Sequence, residues 1–411
     1  MTNSDSRPLN VVILATFFKG VDFMRELKSH GCRVFVVTKE RFLEEDWPRD
    51  SIQELFALPN DAAPEIFFDL IRHISKENKI DRVVALEEFD VILAALIREH
   101  LGLPGISSSS VNAFRDKFHM GLKATAAGIL VPAFAPLVNR VEIADFMKRI
   151  PAPWIVKPRA DASAIGVRKI ENEEEVWNVI AELDARKRLN ERSLYYLLMQ
   201  FCPGEVFHVD STVQNGRVIF AAGNRYGRPP LQVAHGGGAY ISHTVAHGSA
   251  DQKRLFEINR KLIKALGLAN GVAHAEFIKG DADGRFYFLE IASRVGGAYI
   301  AESLEAASGV NLWREWARLE MGIGVSEAAR KPRKDYSGIV LSLAKQEFPD
   351  TSAYEDPEIV YRVKKKHHVG LIVCSPKLER VTELLDQYAQ RFADDFIAIV
   401  PPLQRAEEAL T

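Results

Sequence analysis

At 411 residues the chain exceeds a single ordinary core, so two or three packed units sharing interfaces are expected. Apolar residues make up 47%, charged residues 26%, and the formal charge is -2. That balance excludes a strongly basic nucleic-acid binder or a surface drawn to anionic membrane, and points to small-molecule partners. Cys32, Cys202 and Cys374 lie far apart with no CxxC pair, which argues against a disulfide framework or structural zinc and for a reducing cytoplasm. The opening MTNSDSRPLN lacks a basic region with an apolar stretch behind it, and no apolar run approaches the roughly 18 residues of a membrane span. Neither export by that route nor a membrane location is expected.

The run from Leu9 to Ala15 is apolar throughout and predicts a buried strand, followed by a helix to His30, Gly31 and a second strand, CRVFVVT. Ile66 to Lys76 predicts a helix, DRVVALEE a strand ending in acids, and DVILAALIREHLG an amphipathic helix closed by Gly102. Alternating strands and helices imply a parallel sheet. The first turn, ATFFKG, lacks GxGxxG, which speaks against a dinucleotide site and a dehydrogenase. LPGISSSS has the composition of a linker, and VNAFRDKFHMGLKATAAG predicts one helix ended by Gly128.

Beyond it, PWIVKPRADASAIGVRKI predicts two strands around a small-residue loop, and ENEEEVWNVIAELDARKR an exposed helix. The stretch from Leu194 to Gly227 alternates strands with Pro-Gly and Asn-Gly turns, so the organisation changes from parallel to antiparallel. A helix from Asp251 to Leu266, two strands joined by DADG, and one long helix through SLEAASGVNLWREWARLEMG follow. From about Lys331 onward, DYSGIVLSLAKQ, VYRVKKKHHVGLIVCS and FIAIVPPL predict short strands around the helix LERVTELLDQYAQRF. The fold class is α/β and α+β, with units at 1–108, 109–325 and 326–411.

Glu276 and Glu290 sit on two adjacent apolar strands, where an isolated acid is costly unless paired or bound to a cation. Two such carboxylates with open positions for phosphate oxygens suit Mg²⁺; the alternative is an outward face of the hairpin, since alternation does not fix which face is buried. His274 shares the face of Glu276 and reads as a core histidine. Arg294 follows Glu290 by four and precedes Gly296 and Gly297, so backbone there can approach a ligand; its guanidinium suits an acyl phosphate or carboxylate, the alternative being a salt bridge to a nearby acid. Lys157 ends the strand WIV, and the loop RADASAIGV behind it, with Ser163, can offer N–H groups to phosphates. Lys117, in FRDKFHM, reads on its own as a helix lysine.

Lys117, Lys157 with its loop, MQFCPGE, HAEF and FLEIASR occur in an order and spacing that resemble the ATP-grasp superfamily. EIASRVGGAYIAESLEAASGVNLW is similar to its carboxylate-amine ligase and L-amino acid ligase branch. The resemblance implies an N-terminal parallel α/β pre-ATP-grasp domain, a two-lobed ATP-grasp fold whose small lobe (about 131–197) closes as a lid, and a C-terminal α+β region. It implies that Lys117, Lys157 and Ser163 hold ATP phosphates, that Gln200, Phe201 and Cys202 form the hinge against adenine, and that Glu205 holds the ribose. Glu276 and Glu290 would ligate one or two Mg²⁺, with Mn²⁺ as a substitute, and Arg294 would stabilise the acyl phosphate. Relatives commonly carry Asn where this chain has Ala292, so either Ser293 or water would substitute, or a second Mg²⁺ would bind more weakly.

The expected reaction is ATP-dependent joining of a carboxylate and an amine through an acyl phosphate. Arg225, Arg228, His235 and His243, around the flap Gly236 to Gly238, are candidate substrate contacts. A bicarbonate-activating enzyme similar to biotin carboxylase and an ATP sensor without turnover are the alternatives. The sequence leaves the oligomeric state open, with a homodimer, the commonest soluble assembly, as one candidate.

Overall fold

The computed structural model describes residues 7–161, 165–229, 231, 233, 238–396 and 398. Four parallel strands, β1 (Asn10–Leu14), β2 (Arg33–Lys39), β3 (Glu54–Leu58) and β4 (Arg82–Ala85), form a sheet of order β3-β2-β1-β4. Helices α1 (Val21–Ser29), α2 (Pro64–Glu77) and α3 (Val91–His100) cover it. The solid apolar runs of β1 and β2 are buried on both faces, as a parallel sheet between helices demands. β1 and β4 are neighbours, while the chain leaves β1 toward β2 on the other side. A crevice is expected at the carboxyl ends where strand order reverses in this way.

The helix predicted over VNAFRDKFHMGLKATAAG is broken. A short α4 (Ser108–Val111) and a 3-10 turn precede Arg115, and α5 (Lys117–Ala126) starts afresh. Asp116 causes the break: its carboxylate accepts hydrogen bonds from the N–H groups of Phe118 and His119, an N-cap that a helix interior has no use for. Lys117 thereby becomes the first residue of the helix.

An antiparallel sheet of order β5-β8-β6-β7 follows, from β5 (Phe134–Pro136), β6 (Trp154–Pro158), β7 (Arg168–Ile170) and β8 (Tyr196–Gln200). Helices α6 (Arg140–Arg149) and α7 (Glu173–Asp184) pack on it. The acidic α7 is solvated on one face and buries Val176, Val179 and Leu183 on the other.

An eight-stranded antiparallel sheet forms the largest layer, in the order β13-β12-β9-β10-β11-β14-β16-β15. It comprises β9 (Gly204–Gln214), β10 (Arg217–Tyr226), β11 (Tyr240–Thr244), β12 (Gly271–Gly280), β13 (Phe286–Ala292), β14 (Tyr336–Leu343), β15 (Ile359–Arg362) and β16 (His368–Ser375). The C-terminal strands therefore extend the same sheet. Helices α8 (Ala250–Leu266), α9 (Ile300–Ser308), α10 (Leu312–Met321), α11 (Glu327–Arg330) and α12 (Leu378–Asp395) flank it. The long helix expected over SLEAASGVNLWREWARLEMG is two: Gly309 takes a left-handed C-cap and Asn311 caps the restart. FIAIVPPL falls largely outside the described residues. Among the described residues no helix is long and apolar enough to cross a membrane.

Candidate active site

A cavity of about 760 Å³ opens between the two antiparallel sheets, a size that suits a nucleotide-scale ligand. Lys117, Lys157, Glu276, Glu290 and Arg294 all line it, together with the segment from Gln200 to Glu205.

β6 delivers Lys157 into this space from a strand buried throughout. Burial pushes its ammonium pKa down and Lys117 adds to that, while Glu290 and Glu276 oppose it, leaving a value of about 8. Lys117 projects from the first position of α5, with Nζ 3.1 Å from Glu290 Oε2 and 2.5 Å from the carbonyl of Asp161. Its helix start is tied to β6, because Asp116 pairs with Arg159 at 2.7 Å and the Lys117 N–H donates to the Arg159 carbonyl.

Glu276 on β12 and Glu290 on β13 are direct cross-strand partners. Like charges so placed destabilise a sheet unless a cation lies between them. Tyr226 donates to Glu276 Oε1 at 2.7 Å, and His274 Nε2 is 3.4 Å from the same oxygen. Among the described residues no hydrogen bond or ion pair reaches Oε2. Burial would raise the Glu276 carboxyl, but His274 and Tyr226 hold it at about 2. The pair thus presents carboxyl oxygens to the cavity, a donor set that fits a hard divalent cation such as Mg²⁺ or Mn²⁺.

Beneath them is a buried charge network. Asp210 on β9 accepts from His208 Nδ1 at 2.6 Å and meets His274 Nδ1 at 2.9 Å, while His208 Nε2 lies 2.7 Å from Ser242 Oγ. Burial works against the charge on His274, but Asp210 and Glu276 raise its pKa to about 10. His208, Asp210 and His274 bring ligand atoms within 4.8 Å of one another. Each is satisfied by its neighbours, so the network itself accounts for them. Gly296 passes directly over it: a Cβ there would lie 2.9 Å from His274 Nδ1 and 3.0 Å from Asp210 Oδ1. Only glycine lets the Arg294 loop come this close.

Arg294 Nη2 donates to Glu88 Oε2 at 2.7 Å and Nη1 to the Val295 carbonyl at 2.9 Å. Gln200 and Ala133 exchange backbone and side-chain hydrogen bonds at the end of β8, and the Phe201 N–H donates to the Pro153 carbonyl. Glu205 pairs with Arg225 Nη1 at 2.7 Å.

Other predicted residues are not brought together here. Arg225, Arg228 and His243 are not found among the described residues that line the cavity. Strand alternation explains His243: Tyr240 lines the cavity and Ser242 reaches His208 on the same face of β11, so His243 points the opposite way. Arg228 is exposed. Ser293 lines a separate small cavity beside Trp316 and Glu320, whereas Ala292 lines the large one, so a substitute role for Ser293 in metal ligation has no geometric support. Ser163 and His235, with Gly236 and Gly237, lie outside the described residues. Sequence reasoning passed over Tyr226, Asp210 and Glu88. The alternation of His208 and Asp210 with the apolar Phe207 and Val209 was the available signal for Asp210.

Two family models match the chain: an ATP-grasp domain over residues 150–302 and an ATP-grasp N-terminal domain over residues 24–105. The chain belongs to the ATP-grasp superfamily. An L-arginine-specific L-amino acid ligase of Bacillus subtilis is 22% identical over 248 residues, 59% of this chain and 58% of that one. Carnosine synthase 1 of Gallus gallus is 27% identical over 267 residues, 61% of this chain and 28% of its own length. The chain thus spans less than two thirds of either relative. A crystal structure of an L-amino acid ligase from Bacillus licheniformis superposes with a TM-score of 0.74 at 17% identity, covering 96% of this chain and 99% of that one. At that identity it speaks for a shared ATP-grasp fold.

Proposed function

We propose that this ATP-grasp protein is an ATP-dependent carboxylate-amine ligase that forms an amide or peptide bond, with amino acids as substrates, and releases ADP and phosphate. One observation carries the reading: two lysines, two facing carboxylates and an arginine, drawn from α5, β6, β12, β13 and the loop behind it, line a single cavity. Adenine would lie against the apolar wall of Ile155, Met199 and Ile278 and the hinge Gln200 to Cys202, with Glu205 at the ribose. Ligase names among the relatives support the reaction class.

Glu276 and Glu290 would hold Mg²⁺, which when bound neutralises phosphate charge. The protein's own groups do the remaining work by position. Lys117 and Lys157 compensate charge on the phosphoryl group as the substrate carboxylate attacks and ADP leaves. Arg294 would meet the resulting acyl phosphate with a forked donor. An unprotonated amine then attacks the acyl carbon, phosphate departs and one proton is released. The small lobe, about 131–197, would exclude water that otherwise hydrolyses the intermediate.

ADP release with MgATP and pairs drawn from the L-amino acids, with and without bicarbonate, tests this. Amino-acid-dependent release supports the ligase. Release only with bicarbonate, or none at all, overturns it.

A further inference from the structure

Glu88 belongs to the N-terminal sheet, in the turn directly after β4 at the carboxyl edge beside β1. It is buried at 6% exposure. Each of its oxygens is taken by a different arginine: Oε2 accepts from Arg294 Nη2 at 2.7 Å, 206 positions away, and Oε1 from Arg115 Nη1 at 3.1 Å. Arg115 stands two residues before Lys117, just ahead of the Asp116 cap that starts α5. One carboxylate therefore ties together the loop that carries Arg294 and the helix start that carries Lys117.

The turn holding Glu88 is itself fixed. Asp90 accepts from both the N–H and the hydroxyl of Thr16, two residues beyond β1, and Lys19 pairs with the neighbouring Glu87. Burial would raise the Glu88 carboxyl, but Arg294, Arg115 and Lys117 hold it down, so it stays an anion. A buried anion between two guanidinium groups is a rigid spacer, since breaking either contact strands an unpaired charge. The other contacts of Arg294 are weaker or local: Nη1 donates to the Val295 carbonyl at 2.9 Å, and Nε, buried without a hydrogen-bond partner, lies 3.9 Å from Glu87 Oε1.

We propose that Glu88 is a positioning residue which anchors Arg294 directly and Lys117 through Arg115, setting the two cations at the spacing that phosphoryl transfer needs. The inference rests on the ligase reading for its kinetic consequence, and on geometry alone for the anchor. Glu88 itself lines the cavity, and its part in the reaction requires no direct contact with the ligand.

The test is a double-mutant cycle on the full chain with Glu88→Gln, Arg294→Ala and the combination. Thermal unfolding reads the anchor without any substrate. Coupled residues should give a double-mutant Tm loss smaller than the sum of the singles by about 2 °C or more; additive losses overturn the anchor. Calorimetry with a non-hydrolysable ATP analogue and turnover on the active amino-acid pair read the function. Glu88→Gln should leave ATP affinity within about twofold and lower kcat by about 10- to 100-fold, and the double variant should be little worse than Arg294→Ala alone. Near-normal kcat, or kinetic losses that multiply, overturn positioning. Should wild type release no ADP with any pair, the ligase reading fails while the unfolding arm still decides the anchor.

Discussion

Glu276 and Glu290 stand directly opposite each other on β12 and β13, two carboxylates in one cross-strand register position at the wall of the cavity. Their contexts differ: Glu276 is held by Tyr226 and His274, whereas Glu290 meets Lys117 at 3.1 Å. Glu290→Gln and Glu276→Gln should each abolish most Mg²⁺-dependent turnover, since each removes a carboxylate charge from the proposed Mg²⁺ site and keeps the side chain's shape. Thermal unfolding should separate them. Glu290→Gln, by relieving like-charge repulsion, should leave Tm within a few degrees, while Glu276→Gln, which strips the charged partner from His274, should lower it more. Near-wild-type turnover of either variant at saturating Mg²⁺ would remove the pair from the chemistry.

Lys157 makes a pH prediction. Its pKa of about 8 lies below the ordinary 10.5 because burial disfavours the ammonium. The folded value is the lower, so its charge opposes folding below about pH 8, and that cost fades as pH rises toward 10.5. ATP phosphates favour the protonated form. Affinity for a non-hydrolysable ATP analogue should therefore fall as pH rises from 7 through about 8 and beyond. Lys157→Met should bind more weakly at pH 7 and lose this slope. An identical slope in the variant would assign the titration elsewhere.

The buried network under the carboxylates makes a stability prediction. Asp210 bridges His208 and His274, and it is the main reason that His274 stays charged. Asp210→Asn should cost about 3 kcal/mol or more at neutral pH, because it leaves an unpaired buried charge or forces a proton off. In wild type the raised His274 value contributes stability that is complete below about pH 6.5 and is lost as pH climbs toward about 10. Urea denaturation measures both. A loss under about 1 kcal/mol would mean the network is a packing feature only.

Much of this site was legible before any coordinates. Lys157, Glu276 and Glu290 are charged residues inside apolar strands, a local anomaly that needs no tertiary knowledge. The breaks at Asp116 and Gly309 were missed, because helical periodicity runs through both while the cap residues interrupt it. β3 was missed too, since its strand ELFAL is only half-buried and lacks clear alternation. Glu88 could not have been tied to Arg294, as nothing local marks a contact across 206 positions. His243 was misdirected for a simpler reason: period two leaves the choice of face open until a neighbour such as Ser242 is placed.

The central claim is that the cavity joins a carboxylate to an amine, and product formation tests it most directly. Wild type and Arg294→Ala should be incubated with MgATP and pairs of L-amino acids, following ADP by a coupled assay and the condensed product by mass spectrometry. Wild type should form ADP and an amide in equal amounts. Arg294→Ala should bind the ATP analogue with nearly unchanged affinity and lose about 10² to 10³ in kcat, because its contact strengthens only as the intermediate forms. ATP binding by wild type with neither ADP nor amide across the whole panel, or ADP formed only with bicarbonate, would contradict the account.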